Sequence, residues 1–196
     1  MHNVLHPSPS LHRPARSGFT LIELMVVIGI IAILVAMTVP VVGRAIDSAR
    51  RGQASTEVKG IEAALLQYYN EYGRFPHGND PGGSDYRYGE GGNADNRNLM
   101  NVLRAVDNTA GNPGHSANPR RIVFLEIPDR SLSPQGDYID PWGEQYNVLV
   151  DTSFDGDITI GGPYPLIENR RVAVWTRADR DLNDRNRHIH SWNFSQ

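Results

Sequence analysis

From Phe19 to Val39 the chain runs for 21 residues with a single charge, Glu23. As a helix this stretch is about 30 Å long, the thickness of a bilayer's hydrocarbon core. A lone carboxylate in such a segment costs roughly 2.5 to 3.5 kcal/mol at the bilayer centre, so it needs a partner. The residues just before it, Arg16-Ser17-Gly18-Phe19-Thr20, offer one. A cut after Gly18 would free the α-amino group of Phe19, which is positively charged near neutral pH. That amine would lie a few residues from Glu23 and at similar depth. In a stack of identical helices each Glu23 then meets the amine of a neighbour.

An ordinary signal anchor with a chance glutamate is the plain alternative, but the run lacks the small-residue cleavage site that follows a secretory signal. Ala32 and Ala36 lie inside the apolar run, and Pro40 follows it without an Ala-x-Ala site. Gly18-Phe19-Thr20-Leu21-Ile22-Glu23 resembles the prepilin-type cleavage and methylation motif of type IV pilins and type II secretion pseudopilins. The resemblance implies that prepilin peptidase cuts between Gly18 and Phe19, that Phe19 is N-methylated, and that Glu23 is the assembly glutamate. It also aligns Pro40 with a helix-kinking proline found in many family members. The fold it implies is α+β and pilin-like: a long N-terminal helix, membrane-spanning in its first half, packed on a small antiparallel β-sheet domain.

The 196 residues suit one domain with an N-terminal appendage. The expected division is a cleaved leader over 1–18, a transmembrane and assembly helix over 19–42, an amphipathic continuation over 43–72, and a periplasmic globular domain over 73–196. Loss of the leader removes Arg13 and Arg16 from the 19 basic residues, leaving 17 against 22 acidic ones and a formal charge of -5. This is not the basic surface of a nucleic-acid binder. With no cysteine in the chain, disulfides do not hold the domain together. Arg44, Arg50 and Arg51 beyond the apolar run weaken the positive-inside signal of Arg13 and Arg16, so the expected topology rests on the motif.

Beyond Pro40, Ile46 and Ala49, then Val58, Ile61, Leu65, Tyr68 and Tyr72, recur every three or four residues as one apolar stripe. This predicts a single helix from about Phe19 to Tyr72. Arg50, Arg51, Glu57, Lys59, Glu62 and Glu71 are then expected to face water or another subunit. Pro40 lacks an amide hydrogen and crowds the carbonyl of Ala36, so a bend is expected there, with Gly29 a second weak point. Arg74 to Asn96 reads as loop. Leu99, Val102, Leu103 and Val106 predict a short second helix capped by Asp95 or Asn96. Strands are expected at Ile122–Ile127, Tyr146–Val150, Val172–Trp175 and Ile189–Trp192. Asp140-Pro141-Trp142-Gly143 has the chemistry of a type I turn. It resembles a turn of the major pseudopilin of type II secretion.

Two acidic stretches have the oxygen chemistry of a hard-cation site. Asp179, Asp181, Asn183 and Asp184 form the later one, and Asp151 to Asp157 the earlier. The family resemblance implies calcium in the loop between the last strands, where the later stretch lies, although this chain reads Arg177-Ala178-Asp179-Arg180 where similar proteins have Gly-Pro-Asp-Gly. Both also read as ordinary Asp-rich turns. His188 and His190 flank Ile189 and would share one strand face. Without cysteine or a HExxH spacing, ordinary surface or core histidines are the better reading than a zinc pair. Tyr68, Tyr69, Tyr72, Trp142, Trp175 and Trp192 suggest either an aromatic ligand patch or the packing of helix on sheet. No nucleophile elbow, cysteine nucleophile or phosphate-binding loop is present.

The expected function is therefore structural, not enzymatic: a pseudopilin anchored in the bacterial inner membrane by one pass, with its C-terminal domain in the periplasm. The resemblance implies assembly of its copies into a periplasmic helical filament that helps export folded proteins. The implied partners are minor pseudopilins, prepilin peptidase and an inner-membrane assembly platform, with energy from a separate ATPase. No cofactor other than calcium is implied, and no nucleic acid. The alternatives are a pilin of a type IV pilus for adhesion, motility or DNA uptake, and a membrane-anchored periplasmic enzyme or binding module.

Overall fold

The computed structural model describes residues 18–78, 83–161, 164, 166–178 and 188–192, with backbone only over 39–41. The chain divides into two units, residues 1–45 and 46–196. Helix α1, Leu21–Tyr72, passes through both. In the first unit its apolar side chains are exposed throughout the described positions, and none of the membrane-length window is buried within the chain. A helix apolar on every side is stable only in lipid or among other helices.

The second unit is built on a four-stranded antiparallel sheet in the order β1-β2-β5-β6, formed by Tyr86–Tyr88, Asn147–Val150, Val172–Thr176 and Ile189–His190. Strands β2 and β5 are buried at every position. Their sequences, Asn-Val-Leu-Val and Val-Ala-Val-Trp-Thr, are apolar over Val148–Val150 and Val172–Trp175, as expected where both faces of the sheet are covered. Val148, Val150, Val172 and Val174 point to one face, against Val58, Ile61, Leu65 and Tyr68 of α1 and Leu99 and Leu103 of helix α2, Asn96–Leu103. Leu149, Ala173 and Trp175 point to the other, under Trp192 and a hairpin of β3, Asp157–Ile158, and β4, Ile167–Glu168. The alternation of side chains along a strand makes two cores from one short sheet.

The buried stripe of α1 begins at Ala54 and continues through Val58, Ile61, Leu65 and Tyr68. It does not include Ile46, which is 50% exposed, or Ala49. The expectation that the intervening charges face outward fails for Glu57 and Glu62, which are partly buried, and holds for Glu71, which is exposed but paired. Glu57 accepts the hydroxyl of Tyr146. Glu62 pairs with Arg170 at 2.6 Å and Glu71 with Arg120. Burial, aided by the nearby Glu57 carboxylate, raises the Tyr146 phenol well above its usual range. Its neutral hydroxyl therefore remains a donor to Glu57. These carboxylates tie the helix to the domain because a tyrosine or arginine from a distant segment of the chain reaches each one, a pairing that helical spacing does not reveal.

No strand forms over Ile122–Ile127. The amide of Ile122 donates to the Asn118 side chain, and those of Phe124 and Leu125 both donate to the Leu103 carbonyl, so side-chain and helix-end acceptors replace a strand partner. Phe124 and Leu125 still pack on the core. The long connection from α2 is organised by buried asparagines. Asn118 bonds the carbonyls of Val102 and Ile122, and Asn112 accepts the amides of Ala117 and Asn118. Asparagine suits this role because its amide offers both donors and acceptors to a backbone that has no ladder. Gly111 closes the turn at φ +86, where a Cβ would stand 2.1 Å from the Asn98 carbonyl oxygen.

Helix α2 starts as expected but ends at Leu103, short of Val106. Asp95 occupies the N-cap without a side-chain cap bond. Instead, the amide of Arg97 donates to Asp137 at 3.3 Å. The stretch read as loop from Arg74 to Asn96 contains β1, whose signal was the alternating Tyr86-Arg87-Tyr88. The turn at Asp140 forms as expected: Gly143 donates to the Asp140 carbonyl, and the Asp140 carboxylate accepts the amides of Trp142 and Glu144, each at 2.9 Å. The Thr176 hydroxyl completes its shell and fixes the turn to β5.

Candidate assembly site

Gly18, Phe19 and Thr20 precede α1 without helical structure and are exposed. A Cβ on Gly18 would meet nothing within 4 Å, so the surrounding chain places no steric demand for glycine there. Phe19 is 82% exposed. Thr20 and Glu23 form a reciprocal cap. The Thr20 amide and hydroxyl donate to Oε2 of Glu23 at 2.8 and 2.7 Å, and the Glu23 amide donates to the Thr20 hydroxyl at 3.2 Å. This satisfies two of the amides that a helix start leaves without partners. All of the carboxylate's hydrogen bonds within the chain fall on one oxygen, leaving Oε1 open among the described residues. The Thr-x-x-Glu spacing before an apolar run is a legible capping signature, and sequence reasoning that looked only for a charge partner passes over it.

Pro40 lies within α1, whose backbone remains helical through it. In the turn before, the Thr38 hydroxyl donates to the Leu34 carbonyl at 2.7 Å, a back-bond of the kind that accompanies helix bending.

The later acidic stretch, Asp179, Asp181, Asn183 and Asp184, lies outside the described residues. In the earlier one, Asp151 is buried and both its oxygens are taken: Oδ1 accepts the Phe154 amide at 2.6 Å and the Ser153 hydroxyl at 3.1 Å, and Oδ2 the Gly156 amide at 3.2 Å. That is a carboxylate folding its own turn. Among the described residues no three His, Cys, Asp or Glu side chains are placed to hold a metal ion. His188 contacts the Tyr164 hydroxyl through Nδ1 and His190 the Trp192 carbonyl through Nδ1, so each has a packing role.

The aromatic residues do not form one patch. Tyr68 and Tyr72 group with Phe124 on the α1 side of the sheet, and Trp175 and Trp192 group with Tyr164 on the other. Arg87 lies over the Trp175 ring at 5.1 Å. Trp142 is part of neither group.

Residues 13–39 match the family model of the prokaryotic N-terminal methylation motif. Core protein G of the type II secretion system of Pseudomonas aeruginosa is 42% identical over 140 residues, which cover 71% of this chain and 78% of that protein. The chain belongs to the core protein G family of pseudopilins. The similarity to pilins is shorter. A type IV major pilin of Neisseria gonorrhoeae is 37% identical over 68 residues, 35% of this chain and 41% of the pilin. A fimbrial protein of Eikenella corrodens is 35% identical over 71 residues, 36% of this chain and 46% of its own length. The chain thus spans less than half the length of these pilins. No solved structure matches it at a significant level. Phe19 and Glu23 both fall within the residues that match the methylation-motif model.

Proposed function

We infer that this pseudopilin is a structural subunit of a type II secretion pseudopilus, cut and N-methylated at Phe19 and assembled into a periplasmic filament that helps export folded proteins. One observation carries this reading: the similarity to core protein G covers most of the chain, whereas that to the pilins covers about a third of it. The exposed apolar half of α1 supplies the filament core, and the paired carboxylates of its second half hold each domain to its own helix. Copies of the chain are the main partners, with minor pseudopilins, prepilin peptidase and the inner-membrane platform as the others. Electron microscopy of sheared surface and periplasmic fractions tests the reading. A short periplasmic filament that reacts with antibody to this chain is expected, and long surface pili would favour the pilin reading.

Calcium at Asp179, Asp181, Asn183 and Asp184 belongs to the same proposal, supported by their oxygen-rich side chains alone. A soluble fragment starting near Gly43 is expected to melt at higher temperature with calcium than with a chelator. A ligand bound only by the folded state adds about 2.7 kcal/mol at one hundred times its dissociation constant. Asp181→Ala should remove the gain and Asp155→Ala should leave it, because the Asp151 carboxylate that folds the earlier stretch has both oxygens occupied by its own turn. Equal melting temperatures with and without calcium would leave the later stretch without a stabilising ion.

A further inference from the structure

The domain carries two unsatisfied charged features of opposite sign. Asp157 and Glu168 are directly opposed partners in the β3–β4 register. Ile158 and Ile167, the next pair, are buried in the second core, so the alternation of the strands turns the two carboxylates to the outside. Like charges directly opposite each other destabilise a hairpin. Among the described residues neither carboxylate has a basic partner. The second feature is a cleft of about 340 Å³ lined by Gln53 of α1, Arg130, Ser131, Ile139 and Pro141. Arg130 is exposed, and its guanidinium has no partner among the described residues. Asp140, also in the cleft, has its carboxylate occupied by the amides of Trp142 and Glu144 and the hydroxyl of Thr176.

We propose that the Arg130 cleft receives the Asp157/Glu168 hairpin of a second copy of this chain, as a lateral contact of the filament. The proposal rests on the filament reading above and names a contact within it. Charge complementarity selects the occupant. At -5, the mature chain repels its own copies in most orientations, and this contact sets a free cation against a pair of carboxylates that need one. Arginine suits the role because its planar fork addresses two carboxylate oxygens at once. The two features are different surfaces of one domain, so the contact is heterologous. Contacts of that kind propagate into a helical filament when the rotation does not close.

The native chain contains no cysteine, so paired cysteines report single contacts. The full-length chain, processed in membranes that contain the secretion machinery, is used throughout. With Arg130→Cys and Glu168→Cys in one chain, oxidation of assembled filaments should give a ladder of linked subunits, because the proposed contact brings the positions within disulfide reach. Either single variant should give no ladder. Arg130→Glu should lower filament yield about tenfold or more, since like-charge juxtaposition across an interface is strongly unfavourable. Adding Glu168→Arg should recover the yield, a rescue that a folding defect would not permit. Filaments of the double cysteine variant without a ladder, or Arg130→Glu filaments at native yield, would overturn this contact and leave the filament reading intact. Failure of the native chain to assemble would overturn the filament reading and the contact with it.

Discussion

Glu23→Val is expected to enter the membrane at least as well as the native chain and to yield no filaments. Insertion improves because a charge that costs roughly 2.5 to 3.5 kcal/mol at the bilayer centre has been removed. Assembly fails because the carboxylate that would meet a neighbour's Phe19 amine is gone. The variant also removes half of the Thr20–Glu23 cap, a change of about 0.5 to 2 kcal/mol at the helix start, so a second substitution is needed to separate the two roles. Glu23→Gln retains an acceptor for the Thr20 amide, and glutamine serves in capping boxes, but it carries no charge. If pairing with the amine drives assembly, the glutamine variant fails like the valine one while its helix start stays formed. Filament yield after processing is the measurement. Normal yield from Glu23→Gln would reduce Glu23 to a capping residue.

Gly18→Glu is expected to leave the leader attached to essentially all of the protein. The structure helps interpret this result: Gly18 is exposed and a side chain there would strike nothing within 4 Å. The substitution therefore leaves the chain's own packing untouched, and any loss of processing is a property of recognition by the peptidase. Intact-mass analysis of the membrane fraction should find the native chain beginning at methylated Phe19 and the variant retaining its leader. Without the cut there is no free amine at Phe19, so the variant should also fail to assemble, by the same electrostatic argument as Glu23→Val but from the other partner. A native mature species beginning elsewhere would remove the Phe19 amine from the argument altogether.

What could be read along the chain was whatever depends on local pattern. An apolar run broken by a single charge specifies α1 from Leu21, and a three-to-four spacing specifies the stripe from Val58 to Tyr68. A Pro-Trp-Gly sequence after an aspartate specifies a turn. In each case the residues that determine the structure are neighbours, so the pattern carries the physics. Even the Thr20–Glu23 cap is written at a spacing of three.

Other features were settled by contacts between segments far apart in the chain. Ile122–Ile127 has the composition of a strand, but a strand needs an edge, and Asn118 and Leu103 took its amides first. Glu57, Glu62 and Glu71 sit at positions that helical periodicity sends to solvent, and each is paired because Tyr146, Arg170 and Arg120 reach them from sequence separations of 49 to 108 residues, with Glu57 and Glu62 partly buried as a result. Helix α2 draws its N-terminal acceptor from Asp137, forty residues on, and not from the adjacent Asp95. The opposition of Asp157 and Glu168 exists only once β3 and β4 pair. Sequence alone determined where this chain is apolar enough to cross a membrane and where it begins its helix, because those depend on hydrophobicity and neighbouring spacing. Tertiary structure decided which charges are satisfied at home and which remain for a partner, because an ion pair or a hydrogen bond is a matter of distance in space.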